Sequence, residues 1–155
     1  MTNRRLWSLR IAVGATIACG LLAGRGWTQE LAATHVFDSW SQLVDAGDVD
    51  GLVALFSDDV VWSFPGPRGV VIGKEAVRFY TSEVFGDLKA NGSSLKIEHE
   101  RVSGSWASVV AAFTTTWTDD AGKKSTERSR YVCVLKQASN GKWGIWRFTF
   151  FPLSD

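Results

Sequence analysis

Seven charged or titratable residues in the second half of the chain have side chains suited to chemistry. Glu98, His99, Glu100 and Arg101 form one run, and Glu127, Arg130 and Arg147 follow. Histidine titrates near neutrality, so His99 beside the fixed charge of Arg101 would be a general acid or base. That role needs the side of the strand shared by Ile97, His99 and Arg101 to face inward. The charge density of Lys96-Ile97-Glu98-His99-Glu100-Arg101 reads instead as a solvated outer strand, because charged residues are almost never buried unpaired. Tyr131 and Glu127 are the other candidates for moving a proton. Arg128-Ser129-Arg130 and Lys123-Lys124 could meet an anionic ligand or a partner's carboxylates, but they read as a solvated strand edge. His35 lies off the apolar stripe of its helix and has no assigned role. No metal-ligand spacing, glycine-rich phosphate loop or nucleophile motif is present, so no metal and no cofactor is implied.

These residues hang on elements that the hydrophobic pattern marks out. Leu31 to Ala46 is predicted to be a helix, with Val36, Trp40, Leu43 and Val44 on one stripe and Gly47 as its stop. Asp48 or Asp50 can cap a second helix carrying Leu52, Val53, Leu55 and Phe56. Asp58-Asp59 break that pattern before the strand Val60–Phe64, which ends at the turn Pro65-Gly66-Pro67. After a brief extended piece, Val70 to Ile72, a third helix runs from Lys74 to about Leu88. Its apolar face is Val77, Phe79, Tyr80 and Val84. Asn91-Gly92-Ser93-Ser94 reads as a loop. The period then becomes extended, giving strands Leu95–Ser103, Ala107–Thr118, Ser125–Lys136 and Trp143–Phe151, the last pair joined by Asn140-Gly141. Trp146, Phe148 and Phe150 alternate on one face, with Tyr131 and Cys133 expected beside them as core. Helices first and a meander afterwards make an α+β domain with its helices on one face of the sheet.

The start of the chain is of a different kind. Arg4, Arg5 and Arg10 precede an apolar run from Ile11 to Ala23, and the first acidic residue is Glu30. That is the pattern of an export signal, shorter than the roughly 20 residues a membrane span needs. Residues 1–28 are therefore assigned to a cleaved signal, and 29–155 to the working domain. The pair Arg4-Arg5 also suits a twin-arginine route. A lipid-modified Cys19 is disfavoured by Thr16 three places before it. Removal of residues 1–28 takes four arginines and no acid, moving the formal charge from +1 to −3. A mildly acidic body has no electrostatic footprint for nucleic acid. It would keep only Cys133, so no internal disulfide is expected.

Trp40 to Pro65 reads WSQLVDAGDVDGLVALFSDDVVWSFP, followed by Gly73-Lys74-Glu75-Ala76-Val77 and, near the end, Gly141-Lys142-Trp143. In this wording and element order the chain resembles the nuclear transport factor 2-like superfamily, in its SnoaL-like and ketosteroid-isomerase-like branches, over roughly Thr34 to Pro152. The resemblance implies a cone-shaped roll, with three N-terminal helices packed on a strongly curved, mostly antiparallel sheet. It also implies an apolar pocket open at one end and homodimers paired through the outer face of the sheet.

The steroid isomerases use an aspartate base and two donors, a tyrosine and a protonated acid. The base belongs immediately before the strand's proline, where this chain has Phe64. The tyrosine belongs seven residues before the glycine of Ala-Gly-Asp, at Trp40, and the acid aligns with Tyr131. A phenyl ring cannot take a proton, so steroid-isomerase chemistry by that route is not expected. Trp40 and Tyr131 can still donate hydrogen bonds. The expected pocket is lined by Trp40, Trp62, Phe64, Tyr131, Trp146 and Phe148. Three functions fit: an exported domain binding a small hydrophobic or amphipathic molecule, a cofactor-independent SnoaL-like enzyme using His99, Tyr131 or Glu127, and a non-catalytic dimerisation module. The fold alone does not choose among them.

Overall fold

Gly47 stops the first helix in the left-handed conformation (φ 64°), and the Asp48 N–H closes back onto Leu43 O at 2.9 Å. The computed structural model describes Ala33 and residues 35–64 and 69–153. The expected export signal, Cys19 and the turn Pro65-Gly66-Pro67 lie outside the described residues. Three helices precede the meander: α1, Trp40–Ala46; α2, Val49–Ala54; and α3, Lys74–Asp87. Asp48 caps α2, its carboxylate accepting from the Gly51 N–H at 2.8 Å. The first helix is shorter than its stripe suggests. His35–Phe37 is a single 3-10 turn, and a turn at Asp38-Ser39 separates it from α1. There the Asp38 carboxylate accepts from the His35 ring, a local bond that competes with a continuous helix.

Six strands follow in chain order: β1, Phe56–Ser63; β2, Val70–Ile72; β3, Leu88–Ser103; β4, Trp106–Asp119; β5, Lys124–Gln137; and β6, Trp143–Pro152. They form one sheet in the order β2-β1-β6-β5-β4-β3, with β1 and β6 parallel and every other pair antiparallel. The sheet is curved and mixed, and the helices close its concave side. The fully buried Val60, Val77, Val109, Leu135, Ile145 and Phe148 belong to that core. On α3 the inward side is Val77 and Thr81, while Phe79, expected in the apolar face, is 69% exposed.

Bulges account for most of the other departures. A bulge adds one residue to a strand, bends it, and moves every later side chain to the opposite face. Asn91-Gly92-Ser93-Ser94 is not a loop but an irregular stretch inside β3, with its register shift between Asn91 and Ser94. A second shift follows between Ile97 and His99. Ile97 and Val102 both pack on the core, whereas His99 and Arg101 are exposed. On β6 the shift falls at Trp146: Val134 pairs with Arg147 and Leu135 with Ile145. Ile145 and Phe148 are buried on the concave side. Trp146 is left on the convex side, away from Phe148 and Phe150.

Candidate functional site

Between the helices and the concave face lies a cavity of ≈ 110 Å³, partly open to solvent. Its characteristic side chains are Trp40 from α1, Trp62 from β1, Tyr80 from α3, Trp117 from β4, and Glu127 and Tyr131 from β5. The floor is an aromatic cluster around Phe148. Trp40 stacks on Phe148 at 5.6 Å between centroids, and Trp62 meets it edge-on at 4.9 Å. Tyr131 completes the cluster, 4.9 Å from Phe148 and 5.0 Å from Phe113. Such pairs contribute about 0.5–1.5 kcal/mol each beyond their area, so these rings are held in place before any ligand arrives.

Two features set this cavity apart from plain core. The first is unsatisfied donors. The indole N–H of Trp62 is buried without a hydrogen-bond acceptor, and that of Trp40 is buried with no acceptor in bonding geometry, only the Tyr131 hydroxyl beside it. Buried donors are nearly always paired, so each orphan calls for an explanation. A third, Trp143, lies in the groove described below.

The second feature is a carboxylate. Glu127, Ser129 and Tyr131 alternate along β5 and so share its concave face. Glu127 Oε2 accepts from Trp117 Nε1 at 2.8 Å, and Oε1 accepts from the Ser129 hydroxyl at 2.5 Å. Trp117 sits diagonally across the ladder, since Thr115 is the residue directly opposite Glu127. Among the described residues no lysine, arginine or histidine lines the cavity, and no salt bridge reaches Glu127. Burial pushes the Tyr131 hydroxyl well above the usual phenol range; the Glu127 charge adds to the shift and the Trp40 N–H opposes it. Tyr131 therefore remains a neutral O–H donor.

The remaining sequence candidates lie elsewhere. Phe64 is buried but does not line the cavity. It stacks behind Trp62 at 5.1 Å and packs against Tyr80 at 4.6 Å, because β1 ends there and turns the ring toward α3. Trp146, also expected in the pocket, stands on the convex face: its N–H donates to Asp59 Oδ2 at 2.9 Å and Arg147 lies over its ring at 3.3 Å. His99 is exposed, and the neighbouring Glu98 pairs with Arg130 at 2.9 Å. Cavity residues that sequence reading missed include Tyr80, Thr81, Phe85, Phe113 and Trp117. Trp117 keeps the parity of Phe113 along β4, the signal that could have found it. A second groove of ≈ 370 Å³ is lined by Asp58, Asp59, Lys74, Lys136, Lys142 and Trp143 among others. Four of its charges neutralise one another, Lys74 with Asp58 at 3.1 Å and Lys136 with Asp59 at 3.3 Å. Among the described residues no cluster of three or more His, Cys, Asp or Glu side chains is placed to hold a metal ion.

Curved sheet, closing helices and concave cavity together define a cone of the nuclear transport factor 2-like type. Residues 36–144 match the SnoaL-like domain, and the chain belongs to that family. No curated protein matches it. Solved structures share the fold. A ketosteroid isomerase-like protein from Erwinia carotovora atroseptica SCRI1043 has a TM-score of 0.74 at 21% identity, covering 82% of this chain and 98% of its own. A nuclear transport factor 2-like superfamily protein from Salmonella enterica serovar Typhimurium LT2 has a TM-score of 0.68 at 17% identity, covering 83% and 94%.

Proposed function

We propose that this SnoaL-like domain binds a small hydrophobic or amphipathic molecule bearing a hydrogen-bond acceptor, in the cavity over Trp40 and Trp62. The observation that carries this reading is the pair of buried indole donors, Trp62 with no acceptor and Trp40 with only the Tyr131 hydroxyl beside it, in a largely aromatic site. A ligand oxygen that accepted from either would relieve an unmet desolvation cost of about 1–3 kcal/mol. Rings provide the rest of the affinity through area and shape. The chain's first residues support an exported setting for this binding, and the family resemblance supports a dimer.

The test is a thermal-shift screen of the full-length chain with small aromatic ketones, alcohols and amines, followed by tryptophan fluorescence titration. A binder raises the melting temperature in a saturable way, since it binds the folded state alone. Trp40→Phe, which keeps most of the ring and removes the donor, should weaken that binder about threefold to tenfold. A screen in which no compound shifts the melting temperature at millimolar concentration would refute the reading.

A second reading is favoured by Glu127. It is a carboxylate facing the cavity near a neutral phenol donor, the pair that cofactor-independent proton transfer requires. On this reading Glu127 takes the proton and Tyr131 holds the developing oxyanion, with Phe64 playing no chemical part. Glu127→Gln would then abolish turnover of a bound carbonyl compound while leaving its binding in place. Equal turnover by the variant would exclude this assignment.

A further inference from the structure

The cavity has a negative charge and, among the described residues, no positive one. Glu127 receives two hydrogen bonds, both from neutral donors, Trp117 and Ser129. Each of its oxygens keeps a lone-pair direction for another partner. Around it stand the rings of Trp40, Trp62, Tyr80, Trp117 and Tyr131, with Trp117 turning its N–H edge to the carboxylate. Aromatic faces carry the negative end of a quadrupole and attract cations within about 6 Å, most strongly where water is excluded. A carboxylate without a cation in an aromatic-lined cavity favours one ligand charge.

The convex side of the same sheet shows this pairing already made within the chain. Trp106 and Trp146 meet at 4.9 Å, with Lys136 Nζ 5.9 Å from each ring and Arg147 at 3.3 Å from Trp146. Asp59 closes the cluster, accepting from Trp146 and pairing with Lys136. Tryptophan rings, a carboxylate and cations occur there together. The cavity has the rings and the carboxylate, and among the described residues no cation.

We propose that the ligand of this cavity is a small organic cation, a substituted ammonium held by Glu127 within the aromatic walls formed by Trp40, Trp62 and Trp117. The proposal rests on the binding role assigned above and names the charge of its ligand. An ammonium that also carries a hydroxyl or carbonyl oxygen would answer both features, its charge meeting Glu127 and its oxygen meeting the indole donors.

The test compares choline with its uncharged isostere 3,3-dimethylbutan-1-ol, by calorimetric titration of the full-length chain and of Glu127→Gln. Choline is expected to bind at least about tenfold more tightly than the alcohol. In Glu127→Gln that preference should fall to about threefold or less, with the alcohol's own affinity little changed. If the alcohol binds as tightly as choline, the charge assignment is overturned while the pocket stands. If neither binds below about 10 mM, both the charge assignment and the binding role fail. Should Glu127→Gln not fold, the wild-type comparison decides the proposal alone.

Discussion

The concave and convex faces of this sheet use the same side-chain chemistry in opposite states of completion. On the convex face, Trp146 gives its N–H to Asp59, and its ring lies beneath Arg147 and near Lys136. On the concave face, Trp62 has no acceptor, Trp40 has none in bonding geometry, and Glu127 has no cation among the described residues. The convex cluster is a finished structural feature, whereas the concave one is left incomplete by the described chain, as the proposed ligand site requires. An aromatic-carboxylate cluster is informative about function only where its own chain leaves it incomplete.

Substitutions can break or sharpen that contrast. The largest effect should come from Trp40→Ala, which removes a ring packed on Phe37, Phe56, Tyr131 and Phe148. By analogy with large-to-small core changes it should cost about 3–5 kcal/mol in denaturant unfolding. Phe64→Asp comes next. Phe64 is 7% exposed between Trp62, Tyr80 and Phe150, so an unpaired carboxylate there should cost about 3 kcal/mol. An unfolding midpoint close to wild type would show a wetter site at Phe64 than the packing implies.

Two smaller changes compare the faces directly, because each removes one indole N–H from a carboxylate. Trp117→Phe deletes the bond to half-buried Glu127 and should cost about 1.5 kcal/mol; Trp146→Phe deletes the bond to exposed Asp59 and should cost less than about 1 kcal/mol. The reverse order would contradict the contrast. The smallest effect is one of pH. The Trp146 N–H, with help from Lys136, holds the Asp59 carboxyl below its ordinary 3.8 against the opposing effect of burial. A depressed value contributes stability above the ordinary one and loses it as pH falls through the folded value. In Trp146→Phe the Asp59 titration followed by NMR should move up toward 3.8, and the stability gap to wild type should close in acid.

Much of the fold is legible in the sequence, because caps and periodicity are local signals. Gly47 and Asp48 act as their types foretell, and the four meander strands occur in order. The site is less legible, because its membership depends on which face each side chain takes. Strict alternation groups Trp146 with Phe148, and one extra residue in β6 reverses that. Alternation likewise puts His99 on the side of Ile97, and the bulge in β3 separates them. Bulges arise from pairing between distant strands and leave no mark in a single strand's pattern. Glu127, in contrast, shares parity with Tyr131 and Cys133 on an unbroken stretch of β5, so its inward position was readable.

The central claim is that the concave tryptophans receive a ligand and the convex ones do not. The direct measurement is an NMR titration of the ¹⁵N-labelled full-length chain with choline, following the indole N–H signals assigned by single Trp→Phe variants. The signals of Trp40, Trp62 and Trp117 should move saturably while that of Trp146 stays fixed. Saturable movement of Trp146 with the concave signals unchanged would contradict the account.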